Sequence, residues 1–332
     1  MKLLIILCLL IVLILPNELR VPIISLLSII WFIFSLYYSY ELYKSKDKKI
    51  VTNKYLETPP NNNYSPYIRY LVSGKIDYKV FLLVVIELII KGSISLKKEN
   101  NLYYLFDNKI KNEDLKKSEI YVKKILFKDI GEGHYVILNK IYKKCNFNSG
   151  YLYSVYKEWE SIFEYESMFN KYFKSNKKLI DKSTFFLVTS FIISLYNIIF
   201  AKKIVLALFI FTISAVMCKY INDIKNREDD AKNEYKKWLE FKNYLNKRDT
   251  TLDDIDTISL ENYSLYAYAL DSYYSFSDKL KNKLKEDDIE KSDVLKIIIN
   301  GDFSRIEYIF SKSIEKLNIN AVLLFAKNKG RR

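Results

Sequence analysis

The sequence predicts a mainly α membrane protein with two transmembrane helical hairpins, a cytoplasmic winged-helix-like α+β domain between them and a helical cytoplasmic C-terminal region. Residues 184–220 contain two apolar runs joined by Ala201-Lys202-Lys203. Each run has about 17 residues, the lower limit for crossing a bilayer core of about 30 Å. Residues 3–15 and 21–38 form a second apolar pair. The predicted organisation is therefore transmembrane hairpin 1 at 1–40, a linker at 41–63, a tandem winged-helix-like domain at 64–176, transmembrane hairpin 2 at 183–220 and a helical region at 221–332.

The first apolar run has two interpretations. Lys2 followed by thirteen apolar residues at 3–15 is also typical of a signal-peptide core. A small-x-small cleavage site does not follow it, and a turn between Pro16 and Pro22 does. We interpret residues 3–38 as a helical hairpin, with a cleaved signal peptide followed by one span as the alternative.

Lysines at both edges of the middle domain predict its side of the membrane. The positive-inside rule places such lysine-flanked loops in the cytoplasm, and Lys202 and Lys203 in the outer turn are outnumbered. Abundant Tyr, Ile, Asn and Lys with few Gly and Pro suggests an AT-rich bacterial genome. We therefore expect a multi-pass protein of the bacterial inner membrane, with both termini and the soluble domains cytoplasmic. The lysines are Lys44, Lys46, Lys48 and Lys49 on one edge and Lys174, Lys177, Lys178 and Lys182 on the other.

The middle domain begins with two helices and a hairpin. Ser65-Pro66 predicts a helix start, with Ser65 as the N-cap and the helix running to Gly74. Asp77 caps a second helix at 78–91, which Gly92 ends. Alternating stretches at 93–98 and 102–106 predict a β-hairpin. Helix, helix, hairpin is the order of a winged helix. Three further helices are predicted at 113–127, 135–145 and 151–173, and we interpret them as a second copy of this pattern without a clear wing.

The C-terminal region is predicted to be helical. Residues 221–247 are strongly charged and contain no Gly or Pro, so we expect them to continue the last span as one helix. Further helices are expected at 259–272, 276–284 and 292–325, with Gly301 interrupting the last. All five prolines lie at or before Pro66, which favours a helical remainder.

Cysteine and histidine usage argues against the commonest enzyme classes. Cys8, Cys145 and Cys218 are far apart, and His134 is the single histidine. This pattern provides neither a disulfide framework nor zinc-ligand spacing. A Ser–His triad is possible only around His134, and spacing provides it with no partners.

Other candidate chemical groups are equally isolated. A calcium loop would need a Gly turn and a closing Glu, and a phosphate loop needs more glycines than Gly131-x-Gly133 supplies. Carboxylates along the helices have no second partner at catalytic spacing. We therefore predict no enzyme, no catalytic, cofactor-binding or metal-ligating residues and no cofactor. The residues considered are Glu87, Glu160, Glu164, Glu166, Asp253, Asp254, Asp256 and Asn197, the last expected to bond a neighbouring helix.

Nucleic-acid binding through the winged-helix-like segment is not expected. In DNA-binding winged helices the helix before the hairpin enters the major groove with polar side chains. The corresponding helix at 78–91 carries, besides Tyr78, only Lys79, Glu87 and Lys91 as polar residues. A helix that is apolar on nearly every face is buried. We attribute the net charge of +14, from 53 Lys+Arg and 39 Asp+Glu, mainly to lysines that retain loops in the cytoplasm.

Residues 59–96 resemble the signature of bacterial predicted membrane proteins grouped as domain of unknown function 2207. The matching motifs are Pro59-Pro60, Ser65-Pro66, Gly74-Lys75-Ile76-Asp77 and Lys91-Gly92. Trp238-Leu239-Glu240-Phe241 and residues 263–270 look like the family's second cytoplasmic stretch, so the resemblance spans most of 38–282. Family members usually begin with a signal peptide and a large extracytoplasmic β-sandwich and often end in a Gly-rich tail, which this sequence lacks. None of the motifs is catalytic, so the resemblance implies a family and not an activity.

These observations predict a scaffold or signalling adaptor that binds a protein partner through the winged-helix-like domain. Its expected partners are the lipid bilayer and one protein; a small-molecule substrate is not expected. Two alternatives remain open, a membrane-tethered nucleic-acid-binding regulator and a transporter accessory subunit.

Overall fold

The computed structural model describes residues 50–109, 114–168, 172–173, 177–199, 204–223, 227–247, 255–284 and 292–329, with isolated positions between 16 and 44. The chain divides into two compact units. Unit 1 comprises Met1–Lys49 and Phe173–Glu228, and unit 2 comprises Ile50–Tyr172 and Asp229–Arg332. Unit 2 thus combines segments from the predicted middle domain and from the predicted C-terminal region.

Unit 2 opens with two short helices, α1 (Ser65–Ser73) and α2 (Tyr78–Ile90). The Asp77 carboxylate accepts hydrogen bonds from the first backbone N–H groups of α2, as the sequence predicts. Gly92 adopts a left-handed φ of 67° just after α2, so the predicted helix end is confirmed. The predicted N-cap role of Ser65 is wrong, because its hydroxyl donates instead to Glu87 Oε1 at 2.6 Å.

A three-stranded antiparallel sheet follows, formed by β1 (Ile94–Glu99), β2 (Leu102–Asp107) and β3 (Tyr135–Ile137) in the order β1-β2-β3. Asn100 and Asn101 both have positive φ, which gives the two-residue turn typical of β-hairpins. The predicted hairpin is confirmed. Its partner β3 was predicted to be helical, and pairing of residues 135–137 with β2 overrides that local pattern.

Three helices connect and follow the sheet in unit 2. Helix α3 (Lys117–Lys123) continues as a π-helix (Lys124–Ile130) before β3. Helix α4 (Leu138–Phe147) leaves β3 directly, and α5 is the long helix Ser149–Met168. Because β3 widens the hairpin into a sheet and later helices pack on α1 and α2, the winged-helix-like description is not supported.

Unit 1 contains the helical pair α6 (Lys177–Ile199) and α7 (Ile204–Asp223). Among the residues that the structure describes, no helix is both long enough and apolar enough to cross a membrane. The prediction of a transmembrane hairpin at 183–220 is therefore wrong, and the described residues do not support two such hairpins. The apolar part of each helix, 185–199 in α6 and 204–218 in α7, has about 15 residues and spans about 22 Å at 1.5 Å per residue, short of about 30 Å.

The predicted hairpin at 1–40 falls almost entirely outside the described residues, as does the choice between a span and a signal peptide at 3–15. The single helix predicted at 221–247 is also not observed. Helix α7 ends at Asp223, Arg227 forms an isolated bridge with Phe173, and a new helix begins at Asp229.

The remaining helices belong to unit 2. They are α8 (Asp229–Asn246), α9 (Thr257–Ala269), α10 (Tyr273–Lys283), α11 (Asp293–Ile299) and α12 (Asp302–Lys329). Gly301, with φ of 74°, separates α11 from α12, so the predicted break is confirmed. Helices α11 and α12 pack on α2, and α9 packs on α1.

Aromatic side chains fill the centre of unit 2. Trp159 of α5 is fully buried and packs edge-on against Phe81 of α2, with ring centroids 4.9 Å apart. Phe310 of α12 lies 5.9 Å from the same Phe81 ring. Trp159 of α5 is thus core, and Phe81 of α2 contacts both α5 and α12, which come from the two sequence halves of unit 2.

Candidate functional site

The two segments that carry the family-like motifs meet in unit 2 at Arg69. The side chain of Arg69 is only 10% exposed. Its guanidinium donates to Asp77 at 2.6 Å and to Asp271 at 2.7 Å. Asp77 ends the Gly-Lys-x-Asp turn of the first segment, and Asp271 follows the 263–270 stretch of the second. One arginine therefore ties the turn before α2 to the turn after α9.

Lys79 and Glu307 extend this contact to α12. The Lys79 ammonium lies 2.6 Å from the Asp271 carboxylate and 3.8 Å from Glu307. The hydroxyls of Tyr78 and Tyr268 both donate to Glu307 Oε1, at 3.2 and 3.0 Å. The result is a network of charged and phenolic groups from α1, α2, α9 and α12, which we call the Arg69 network.

The electrostatics of the Arg69 network follow from its geometry. Burial, the largest effect, raises the pKa of Asp271, but hydrogen bonds from Lys79 and Arg69 outweigh it and hold that pKa below the usual range. Burial, reinforced by the charges of Arg69 and Lys79, lowers the pKa of Lys242 on α8. Asp271 also has a positive φ of 57°, which non-glycine residues rarely adopt. The charged groups of the network thus pair with one another. Two of them, Arg69 and Lys79, hold Asp271 in its left-handed turn.

A second polar cluster lies around Glu87, whose Oε1 accepts from the backbone N–H and hydroxyl of Ser65 at 3.2 and 2.6 Å. Burial is the main cause of the raised pKa of Glu87. Glu119 is fully buried and accepts from the Lys91 ammonium at 2.7 Å. Glu87 and Glu119 therefore both bind partners within unit 2.

The other carboxylates considered from the sequence also have partners. Glu164 accepts from the Tyr70 hydroxyl at 3.0 Å, and Glu166 accepts from the backbone N–H of Ser118 at 3.1 Å. Glu160 pairs with Lys157 at 2.5 Å. All three side chains project from α5, so they attach this helix to its neighbours or pair along it.

Metal and thiol chemistry find little support in the described ranges. No group of three His, Cys, Asp or Glu side chains there could hold a metal ion. The Asp256 side chain caps α9 by accepting from Ser259, while Asp253 and Asp254 lie outside the described residues. Cys145 is buried, and burial raises the pKa of its thiol to about 12.

The helix expected to face DNA in a winged helix is buried. In α2 nine residues are buried, among them Val80, Leu83 and Leu88. Lys79 of α2 and Lys91, directly after its end, form the ion pairs described above. Helix α2 therefore offers no polar surface for reading bases in the major groove.

The α6–α7 pair in unit 1 has an inverted distribution of polarity. Serines are buried, with Ser190, Ser194 and Ser214 all below 5% exposure. Ser194 and Ser214 donate to the carbonyl four residues earlier, at 2.9 and 2.8 Å. Ile193, Ile210 and Met217 are buried beside them, but most large apolar side chains of the pair point outward. The exposed set comprises Val188, Phe191, Ile192, Leu195, Ile198, Ile199, Ile204, Val205, Leu208, Phe209, Phe211 and Val216.

A smaller exposed patch lies on α4 and α12 of unit 2, which pack side by side. Phe147 is 82% exposed and Tyr308 is 63% exposed. Tyr142 and Ile319 are also exposed, and Asn320 donates to Asn146 at 3.3 Å across the two helices. We call Tyr142, Phe147, Tyr308 and Ile319 the α4–α12 patch.

Sequence reasoning missed Arg69, Asp271, Glu307 and the α4–α12 patch. The only available signal was indirect, because Arg69 and Asp271 lie within or beside the two family-like segments. Ionic partners more than two hundred positions apart have no spacing pattern that a sequence reveals.

Comparison with known proteins gives one match. A family model described as "Predicted membrane protein (DUF2207) C-terminal domain" matches residues 52–280. No curated protein and no solved structure matches the chain. The matched range contains Arg69, Asp77 and Asp271 and the whole α6–α7 pair.

Proposed function

The chain belongs to the family of predicted membrane proteins DUF2207, through its C-terminal domain, and from this membership we propose that it is a membrane-associated scaffold or signalling adaptor that binds a protein partner. The resemblance inferred from residues 59–96 is confirmed by the match. In this proposal unit 1 contacts lipid and unit 2 contacts the partner.

The main support for lipid contact is the inverted polarity of the α6–α7 pair. In water a helical pair buries its apolar residues, because their burial is the main favourable term in folding. Here Val205 and Phe209 are 70% and 58% exposed while serines lie inside. Small residues at helix contacts and apolar residues outside are typical of helices surrounded by lipid. A lipid surface would therefore cover the apolar side chains of this pair, whose exposure to water is unfavourable.

Lysines beside these helices favour the cytoplasmic face. Lys177 and Lys178 begin α6, and Lys219 lies near the end of α7. Anionic lipids of the cytoplasmic leaflet attract such lysines by about 1 kcal/mol each. We propose that unit 1 meets this leaflet and that unit 2 is cytoplasmic.

The α4–α12 patch is the proposed partner surface in unit 2. Exposed aromatic residues are enriched at the centres of protein interfaces, where they lose the most water on binding. Phe147, at 82% exposure, has the largest exposed fraction of the four and would lose the most water in a partner's pocket. Tyr142, Tyr308 and Ile319 are the other exposed members.

Site-specific photo-crosslinking of the full chain in its native membranes tests this proposal. A photo-crosslinking amino acid is placed at Phe147 or Tyr308, and at Tyr165 of α5 as an equally exposed control. We expect one stoichiometric protein adduct from Phe147 and Tyr308, absent from Tyr165. Adducts that are the same at all three positions would contradict the partner surface.

A matched substitution separates binding from folding. Phe147→Ser should abolish the Tyr308 adduct while leaving the thermal unfolding midpoint nearly unchanged, because an exposed side chain contributes little to stability. A captured transporter subunit would specify the adaptor as a transporter accessory protein.

A further inference from the structure

The three-stranded sheet of unit 2 presents aromatic rings on the face opposite its core. Side chains alternate between faces along a strand. Tyr103, Leu105 and Val136 are buried on the inner face. Tyr104, Phe106 and Tyr135 lie on the outer face and are only partly buried.

These three rings form one continuous platform. The rings of Tyr104 and Phe106, two residues apart on β2, are stacked with centroids 6.1 Å apart and an 18° angle between planes. Tyr135 on β3 lies 6.1 Å from Phe106 and 6.4 Å from Tyr104. In the sheet register Phe106 is the direct partner of Tyr135.

A lysine borders the platform. Lys97 is the cross-strand partner of Tyr104, and its ammonium lies 5.4 Å from the centre of the Phe106 ring. It is exposed, and no ion pair to Lys97 is formed within the described residues. Glu99 on the same face of β1 and Glu132 beside Tyr135 are the nearby carboxylates, and His134 packs against the Tyr135 ring at 5.1 Å.

We propose that this face binds single-stranded nucleic acid, with bases stacked on Tyr104, Phe106 and Tyr135 and a phosphate paired with Lys97. Two aromatic residues at i and i+2 on a central strand, with a third on the neighbouring strand, is an arrangement that stacks two or three bases on an open sheet. Stacking tolerates any base, because every base has a π-face. The exposed Lys97 ammonium beside the rings favours an anionic ligand over a neutral one.

An extended peptide fits this face less well. A peptide that adds as a strand pairs with a sheet edge, here β1 or β3. It would not lie over the rings of Tyr104 and Phe106, because β2 is paired on both sides. The face provides ring surface and one exposed cation, the ammonium of Lys97. This inference uses a surface other than the α4–α12 patch and does not depend on the adaptor proposal.

The test measures binding of fluorescein-labelled twelve-nucleotide poly-U and poly-dT to the purified full-length protein by fluorescence anisotropy. We expect saturable binding of both strands, at least about tenfold tighter than binding of a duplex of equal length. Phe106→Ala and Tyr135→Ala should each weaken it by about fivefold or more, the effect expected for loss of one stacked base. Lys97→Gln should reduce the slope of log affinity against log salt concentration by the amount that corresponds to about one phosphate contact.

Three controls separate stacking from folding and from general electrostatic attraction. Tyr104→Phe and Tyr135→Phe keep the rings and should retain wild-type affinity. Tyr274→Ala removes an exposed tyrosine from α10 and should change nothing. Unfolding midpoints identify any variant that has lost its fold.

Two outcomes would overturn the proposal. The first is wild-type affinity weaker than about 100 µM at physiological salt, the limit of non-specific binding. The second is binding that Phe106→Ala and Tyr135→Ala leave unchanged while both variants stay folded, because the nucleic acid would then be held by surface charge elsewhere.

Discussion

Arg69 and Asp271 are 202 positions apart in sequence and 2.7 Å apart in the folded chain. Their contact closes the Arg69 network, which joins the segment before α2 to the turn after α9. Because the Arg69 side chain is 10% exposed and that of Asp271 is 48% exposed, the pair lies at the edge of the core. Its strength is therefore that of a partly buried ion pair.

A double-mutant cycle measures this coupling. Asp271→Asn keeps a residue that tolerates the left-handed turn and removes only the charge. We expect it to lower the free energy of unfolding by about 1 kcal/mol, discounted for solvent screening. Arg69→Met should lower it by about 3 kcal/mol, because Asp77 loses its guanidinium partner and Asp271 keeps only Lys79. Urea unfolding of the full chain should give a double mutant less destabilised than the sum. Strict additivity would show that the two side chains do not interact.

The Arg69 network also predicts an acid-sensitive stability. Hydrogen bonds from Lys79 and Arg69 hold the pKa of Asp271 below 3.8 in the folded state. This group therefore stabilises the fold above the unfolded pKa, and the contribution is lost as pH falls through the folded pKa. Wild type should lose more stability than Asp271→Asn between about pH 4 and pH 2. Parallel curves of unfolding free energy against pH for the two proteins would exclude Asp271 as the source of the acid sensitivity.

Glu87 predicts the opposite pH dependence. Burial raises its pKa above 4.5, so its contribution is present below the unfolded pKa and is lost as pH rises through the folded value. Ser65 donates both hydrogen bonds to a single oxygen, Oε1, which glutamine retains.

Glu87→Gln should therefore be as stable as wild type, or more stable, at neutral pH, with a flatter stability curve above about pH 5. Thermal unfolding from pH 4 to 8 checks both expectations. A large loss of stability in Glu87→Gln at neutral pH would mean that the negative charge itself is required.

Phe310 tests whether α12 belongs to the same core as α2. It is 2% exposed and lines two apolar cavities, one bordered by Leu96 and Leu105 and the other by Ile125 and Cys145. Phe310→Ala should lower the free energy of unfolding by about 3–5 kcal/mol, because removing the ring enlarges two cavities that already exist. Tyr308→Ala, two residues away and exposed, should cost less than about 0.5 kcal/mol. Equal effects of the two substitutions would contradict the shared core.

The elements predicted correctly are those encoded by local signals. Asp77 caps α2, Gly92 ends it and Asn100-Asn101 makes the hairpin turn, and each acts within four residues of its effect. Strand β3 was missed because its three residues become a strand only through pairing with Tyr104, Leu105 and Phe106. Tertiary context thus decided the structure where the local pattern favoured a helix.

The functional surfaces were less accessible to sequence reasoning. The family followed from local motifs, and the Arg69 network did not, since its members come from α1, α2, α9 and α12. The transmembrane prediction was wrong because it accepted apolar runs at the lower limit of length, and the apolar parts of α6 and α7 are shorter than those runs. The distribution of their polarity, with serines inside and large apolar side chains outside, became visible only in three dimensions.

Flotation of the full-length protein with lipid vesicles tests the central claim most directly. The exposed apolar surface of α6–α7 should bring wild type to the top of the gradient with vesicles that contain anionic lipid. Val205→Asp/Phe209→Asp should remain at the bottom, and the unit 2 control Phe147→Ser should float like wild type. Wild type that stays at the bottom, or a double variant that floats equally well, would contradict a lipid-contacting role for unit 1.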